Sequence, residues 1–258
     1  MTRLALLLLV LSVSAHATSF TASPVAACSQ LKEANNAKVL VIAAEGRGEY
    51  DDRHANAIFN YTNGRKLQLP AGPLPVLEKQ GILTDGLLYP LAESFGDRID
   101  IVSFDIENFD PNPYSNAMAC ARLWMKGSDQ SGRKLVLVGH SHGASRVANM
   151  AIKLFEEGIG VNTLVTIDGL PIDGGTITRP PGVETYLNYY QNDREDSNFF
   201  THLIYRGQAV PDADNAAEQQ LVTDVDGHFT ITASKTVVTG VKEQFEKLVG
   251  PAQMASAE

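Results

Sequence analysis

The chain predicts an α/β domain with a mostly parallel central sheet of about six strands and helices on both faces, and three observations carry that reading. Short apolar, β-branched runs alternate with segments of helical periodicity along most of the length. The clearest run, Leu135 to Val138, leads through Gly139-His140-Ser141-His142-Gly143 into Ala144, Val147, Met150, Ala151, Leu154 and Phe155 at helical spacing. A length of 258 residues, 44% hydrophobic and 20% charged, can also bury a full core as one domain.

The elements follow in order. Met1 to Ala17 carries Arg3, an apolar run from Leu4 to Val13, and Ala15-His16-Ala17, the pattern of a secretory signal with an A-x-A cleavage site. The run is too short to span a bilayer as a helix, so cleavage after Ala17 and export, to a secreted or periplasmic location, are expected, leaving a domain over 18–258. Lys38 to Ala44 reads as a buried strand ending at Glu45-Gly46-Arg47-Gly48. The polar stretch 46–75, rich in Asn and Gly and closing on Leu69-Pro70-Ala71-Gly72-Pro73-Leu74-Pro75, is expected to be an inserted loop or partial lid. Asp85 caps a helical segment through Phe95 that Gly96 ends, Arg98 to Phe104 alternates as a strand, and Ser115 to Lys126 reads as a helix. After the helix that stops at Gly158 comes an apolar strand, Val161 to Ile167, ending in Asp168-Gly169. Thr185 to Tyr190 and His202 to Arg206 add two strands, and Ser234 to Val249 closes the chain as a helix.

Charge narrows the partners. Removing the signal removes one cation, Arg3, and takes the formal net charge from −9 to −10, with no Lys/Arg cluster of the kind nucleic acid requires. Export gives Cys28 and Cys120 the chance to form one disulfide. Val25-Ala26-Ala27-Cys28 is similar to a lipobox, which would make Cys28 an acylated anchor. Lipoboxes normally abut the apolar run, whereas here a polar stretch from Val13 to Val25 intervenes, so soluble export without stable membrane insertion is preferred.

The G-x-S-x-G pentapeptide at a strand-to-helix turn is the chemical signal. A tight turn there projects the Ser141 hydroxyl clear of the sheet, and glycines at 139 and 143 let the backbone bend that closely. This strand, pentapeptide and helix order resembles the α/β-hydrolase superfamily, a compact esterase- or lipase-like member with fewer strands than the eight of larger relatives. The resemblance covers the chain from about Lys38 to the last helix and implies a serine hydrolase needing no cofactor.

A serine hydroxyl needs a base, and the base a third group to fix its tautomer. The superfamily order is Ser, acid, His, and here Ser141 is followed by Asp168 at a strand end and by His228 in Asp224-Val225-Asp226-Gly227-His228-Phe229. Of the other histidines, His16 leaves with the signal, His54 lies in the insertion, His140 and His142 belong to the pentapeptide, and His202 sits in an expected strand. Asp173, Asp193 and Asp196 compete with Asp168, which is preferred for its place at a carboxyl-terminal strand end, as in pancreatic-type lipases. An Asp before Gly is also common turn chemistry. Oxyanion donors are expected from the backbone of His142 and of the loop after the first strand, at Glu45 or Ala44. That loop lacks the His-Gly pair of many lipases. His140 and His142 form an H-x-H pair, but Ala144 and Ser145 stand where a metallo-hydrolase would carry further ligands, so no metal is expected. Tyr186, Tyr189 and Tyr190 could line an acyl pocket or pack the sheet. Asn60-Tyr61-Thr62 is a glycosylation sequon. The expected substrate is a small-molecule or lipid ester. Thioesterase, amidase, polyester depolymerase, acyltransferase and a non-catalytic binding protein are the alternatives.

Overall fold

In the computed structural model, the described residues are 37–46, 58–62, 65–67, 82–104, 113–125, 132–170, 177–191, 207, 209–210, 218–224, 227–228 and 230–250. The signal segment, Cys28, His54, Asp173, Asp193, Asp196 and the expected strand at 202–206 lie outside them. The elements, in chain order, are β1 (Val39–Ala44), β2 (Ile58–Thr62), β3 (Arg65–Leu67), α1 (Tyr89–Phe95), β4 (Ile99–Phe104), α2 (Pro113–Met125), β5 (Lys134–His140), α3 (His142–Glu156), β6 (Val161–Ile167), β7 (Val183–Gln191), β8 (Glu218–Val222) and α4 (Lys235–Val249). One turn of wider, π-helical winding, Thr84–Leu88, leads into α1.

The sheet runs β3-β2-β4-β1-β5-β6-β7-β8. Six neighbouring strands, β4 through β8 by way of β1, are parallel, as in Val41 opposite both Ile101 and Val136. β2 and β3 extend the β4 edge as an antiparallel hairpin, with Phe59 opposite Ile101 and Thr62 opposite Arg65. Part of the segment expected to be an inserted loop is therefore sheet. Ile58, Phe59, Tyr61 and Thr62 are β-branched or aromatic residues suited to a strand, and the local polarity hid them. β8 likewise has no mark in the sequence, because Glu218-Gln219-Gln220 at an exposed edge lacks an apolar run.

Strand alternation splits the core into two layers. Leu40, Ile42, Leu135, Leu137, Leu164 and Tyr186 face α2 and α3 on one side. Val39, Val41, Val136, Val138, Val165 and Tyr189 face α1 and α4 on the other. Tyr186 and Tyr189 are thus buried packing residues on opposite faces, while Tyr190 is half-buried. Covering both faces leaves the carboxyl ends of the parallel strands as the place where loops and polar side chains can gather.

Candidate active site

β5 delivers the pentapeptide. Its last residue is His140, and α3 begins at His142, so Ser141 alone makes the turn, with φ 53° and ψ −125°. Two hydrogen bonds hold that turn to the neighbouring strand end: Ser141 N donates to Ile167 O at 3.0 Å, and Leu170 N donates to Ser141 O at 3.0 Å. The flanking glycines are required by space. A Cβ on Gly143 would overlap the carbonyl oxygens of Ala44 and Glu45, and one on Gly139 would lie 2.6 Å from Ala144 N. The end of β1 therefore packs directly on the first turn of α3, beside His142.

β6, next to β5, ends one residue before Asp168, whose φ is 45°. Aspartate is among the few non-glycine residues that tolerate this region. Its carboxylate is fully buried, and Oδ2 accepts from His228 Nδ1 at 2.6 Å. Oδ1 accepts from Gly207 N at 2.6 Å. Gln191, at the end of β7, donates through its backbone N to Oδ1 at 3.4 Å and through Nε2 to Oδ2 at 3.3 Å. Gly207 and Gln191 were not singled out from sequence, since nothing in the chain order joins them to Asp168. The signals available were a glycine directly after the run expected as strand 202–206 and a polar residue at the end of a buried parallel strand.

His228 sits between β8 and α4, in a turn where Thr230 N donates to Gly227 O. It is 1% exposed, and its ring touches both Asp168 and the His140 ring, the latter at a centroid distance of 4.6 Å. The segment is clasped at its ends: Ser234 Oγ donates to Asp224 Oδ1 at 3.0 Å while capping α4 at Val237 N. Burial alone would raise the Asp224 carboxyl, but hydrogen bonds from Ser234 and Thr236 outweigh it and hold the group below its ordinary value.

Ser141 and Asp168, predicted from sequence, thus lie at adjacent strand ends, and His228 is hydrogen-bonded to Asp168 and stacked on the residue before Ser141. A carboxylate only accepts, so the 2.6 Å contact places a proton on His228 Nδ1 and leaves Nε2 as the basic nitrogen. Glu45, expected only as a backbone donor, also uses its side chain. Fully buried, its carboxylate accepts from Leu83 N at 2.9 Å, Thr84 N at 2.8 Å and Thr84 Oγ1 at 2.6 Å, the open donors where the segment leading to α1 begins.

Six parallel strands, helices on both faces and a nucleophile-type elbow between strand and helix define an α/β-hydrolase fold. Among solved structures the chain is similar to an alpha-beta serine hydrolase homologue from Coxiella burnetii, at 16% identity over 83% of this chain and 85% of that one, TM-score 0.43. It is also similar to Est1E from Butyrivibrio proteoclasticus, at 13% identity over 83% and 88%, TM-score 0.44. A third is a predicted CIB-like hydrolase from Thermoplasma acidophilum, at 10% identity over 83% and 87%, TM-score 0.44. No protein-family model and no curated protein matches the chain.

Proposed function

We propose that this protein is an exported serine hydrolase of carboxylic esters, with Ser141 as nucleophile, His228 as general base and acid, and Asp168 as the group that orients the base. The observation that carries the reading is the buried 2.6 Å pair of Asp168 and His228 beside the elbow of Ser141. In this mechanism Ser141 Oγ attacks the ester carbonyl carbon while its proton passes to His228 Nε2. The tetrahedral oxyanion is held by the backbone N–H of His142, at the positive end of α3, and by a second donor from the end of β1 at Glu45. Collapse breaks the carbon–oxygen bond to the leaving alcohol, which takes the proton from His228. Water activated by the same imidazole then releases the acid from Ser141. Asp168 stays ionised throughout and stabilises the imidazolium.

Small-molecule or lipid esters fit this chemistry, and no helix among the described residues is long and apolar enough to cross a membrane. The test is fluorophosphonate labelling of the secreted protein, with the adduct located by mass spectrometry. The adduct is expected on Ser141 and should vanish in Ser141→Ala and in His228→Ala. Ester turnover in Ser141→Ala is expected to fall by on the order of 10⁴ or more with the fold intact. Wild-type turnover in that variant would sink the mechanism. Intact mass without reductant, taken on the same sample, is expected to show a chain starting after Ala17 and two hydrogens lighter, for Cys28 paired with Cys120.

A further inference from the structure

We infer that His140, the residue before the nucleophile, is a positioning residue that locks the base to the strand carrying Ser141; this inference rests on the serine-hydrolase reading above. His140 closes β5, is fully buried, and its Nε2 lies 3.0 Å from the backbone oxygen of His228. A carbonyl only accepts, so the His140 proton is on Nε2. The two imidazoles also lie against each other, with planes 31° apart. His228 is therefore held twice, through its ring by Asp168 on the β6 side and through its main chain by His140 on β5.

The second grip has its own purpose. Asp168 fixes the direction of the His228 ring, yet a hydrogen bond at Nδ1 alone lets the ring pivot about that contact. Proton transfer from Ser141 depends on the distance between Nε2 and Oγ, which a pivot would change. Because His140 and Ser141 are consecutive, a bond from His140 to the His228 backbone ties the base to the nucleophile directly. The ring contact adds an electrostatic component: when His228 takes the serine proton, its cation lies against the His140 imidazole, with ring centroids 4.6 Å apart. A charged His140 in that position would instead oppose the transfer. Only a side chain with both a flat ring and a donor at this reach does both, which is what His at the second position of the pentapeptide supplies.

The experiment compares wild type, His140→Phe, His140→Gln, His228→Ala and the His140→Phe/His228→Ala double variant, using p-nitrophenyl acetate hydrolysis and fluorophosphonate labelling. Phe keeps the ring and loses the donor; Gln keeps a donor at similar reach. His140→Phe is expected to lower kcat by about 10- to 100-fold, with KM changed by less than about twofold. His140→Gln is expected to recover most of that loss. In the His228→Ala background His140→Phe should have no further effect, because the residue it acts through is gone. An equal loss in both backgrounds, or an unchanged kcat in His140→Phe while His228→Ala is inactive, would overturn the proposal. A fully active His228→Ala would instead overturn the serine-hydrolase reading. Should His140→Phe fail to fold, His140→Asn, whose amide falls short of the carbonyl, takes its place, and a wild-type kcat there overturns the proposal equally.

Discussion

Ser141 and Asp168 are the two non-glycine residues with positive φ among the described residues, at 53° and 45°. A Cβ in the left-handed region costs roughly 1–2 kcal/mol, so the usual ranking of alanine above glycine should invert at the elbow. Ser141→Gly is expected to unfold in urea at a higher midpoint than Ser141→Ala, by on the order of 1 kcal/mol; the opposite order would mean that the turn is relaxed. Gly207 is a second test at this scale. A Cβ there would lie 2.6 Å from Asp168 Cα and overlap its Oδ1, so Gly207→Ala must displace the carboxylate that orients His228. Ester turnover should fall by at least about tenfold and the thermal midpoint should fall with it, because backbone as well as carboxylate must move; unchanged turnover would show that Asp168 tolerates the shift. Ser141, Asp168 and His228 were legible in sequence because motif, strand ends and chain order point to them. Gly207, Gln191 and the side-chain role of Glu45 were not, since each is defined by a tertiary contact with a distant residue.

At the scale of elements, strong periodicity marks the strands and helices to within one to three residues of their ends, from Val39–Ala44 to Lys235–Val249. The failures were at the edges of the sheet. The β2–β3 hairpin does carry a local mark, Asn63-Gly64 between the two strand sequences, but the polar residues around it read as loop. β8 offered none, because an edge strand can be polar on both faces. Glu45 links two elements, and its carboxylate is expected to matter more as an acceptor than as a charge. Glu45→Ala leaves buried donors of Leu83 and Thr84 without their acceptor and should cost on the order of 3 kcal/mol in urea unfolding. Glu45→Gln, which keeps one acceptor oxygen, should cost clearly less. Equal losses would contradict the cap.

Over the whole molecule, the two-layer core has a signature in alkali. Burial pushes the Tyr186 hydroxyl up to about 12, against a smaller opposing effect of its hydrogen bond with Thr166. Tyr189 is also pushed up to about 12, by burial first and then by Glu218 and Glu243. Both values lie above the ordinary phenol value near 10, so the unfolded chain releases these protons first. The stability they contribute is complete below pH 10 and is lost as pH rises from 10 towards 12. Absorbance at 295 nm should show at least two tyrosines, Tyr186 and Tyr189, ionising late in the native protein and none late in urea. Early ionisation of all eight tyrosines would contradict the burial of one phenol in each layer.

The parallel sheet also sets an order of events. β1 lies at its centre, yet its partners begin at Ile99 and Lys134, about 60 and 95 residues further along the chain. The first strand in the sheet to be synthesised among the described residues thus waits longest for its partners, since its hydrogen bonds form only when β4 and β5 have emerged. Until then Val39 to Ala44 stays an unpaired apolar segment, exposed to chaperones and to other chains. Completion of the central strand and assembly of the serine elbow, which closes on the carbonyls at that strand's end, are one and the same step.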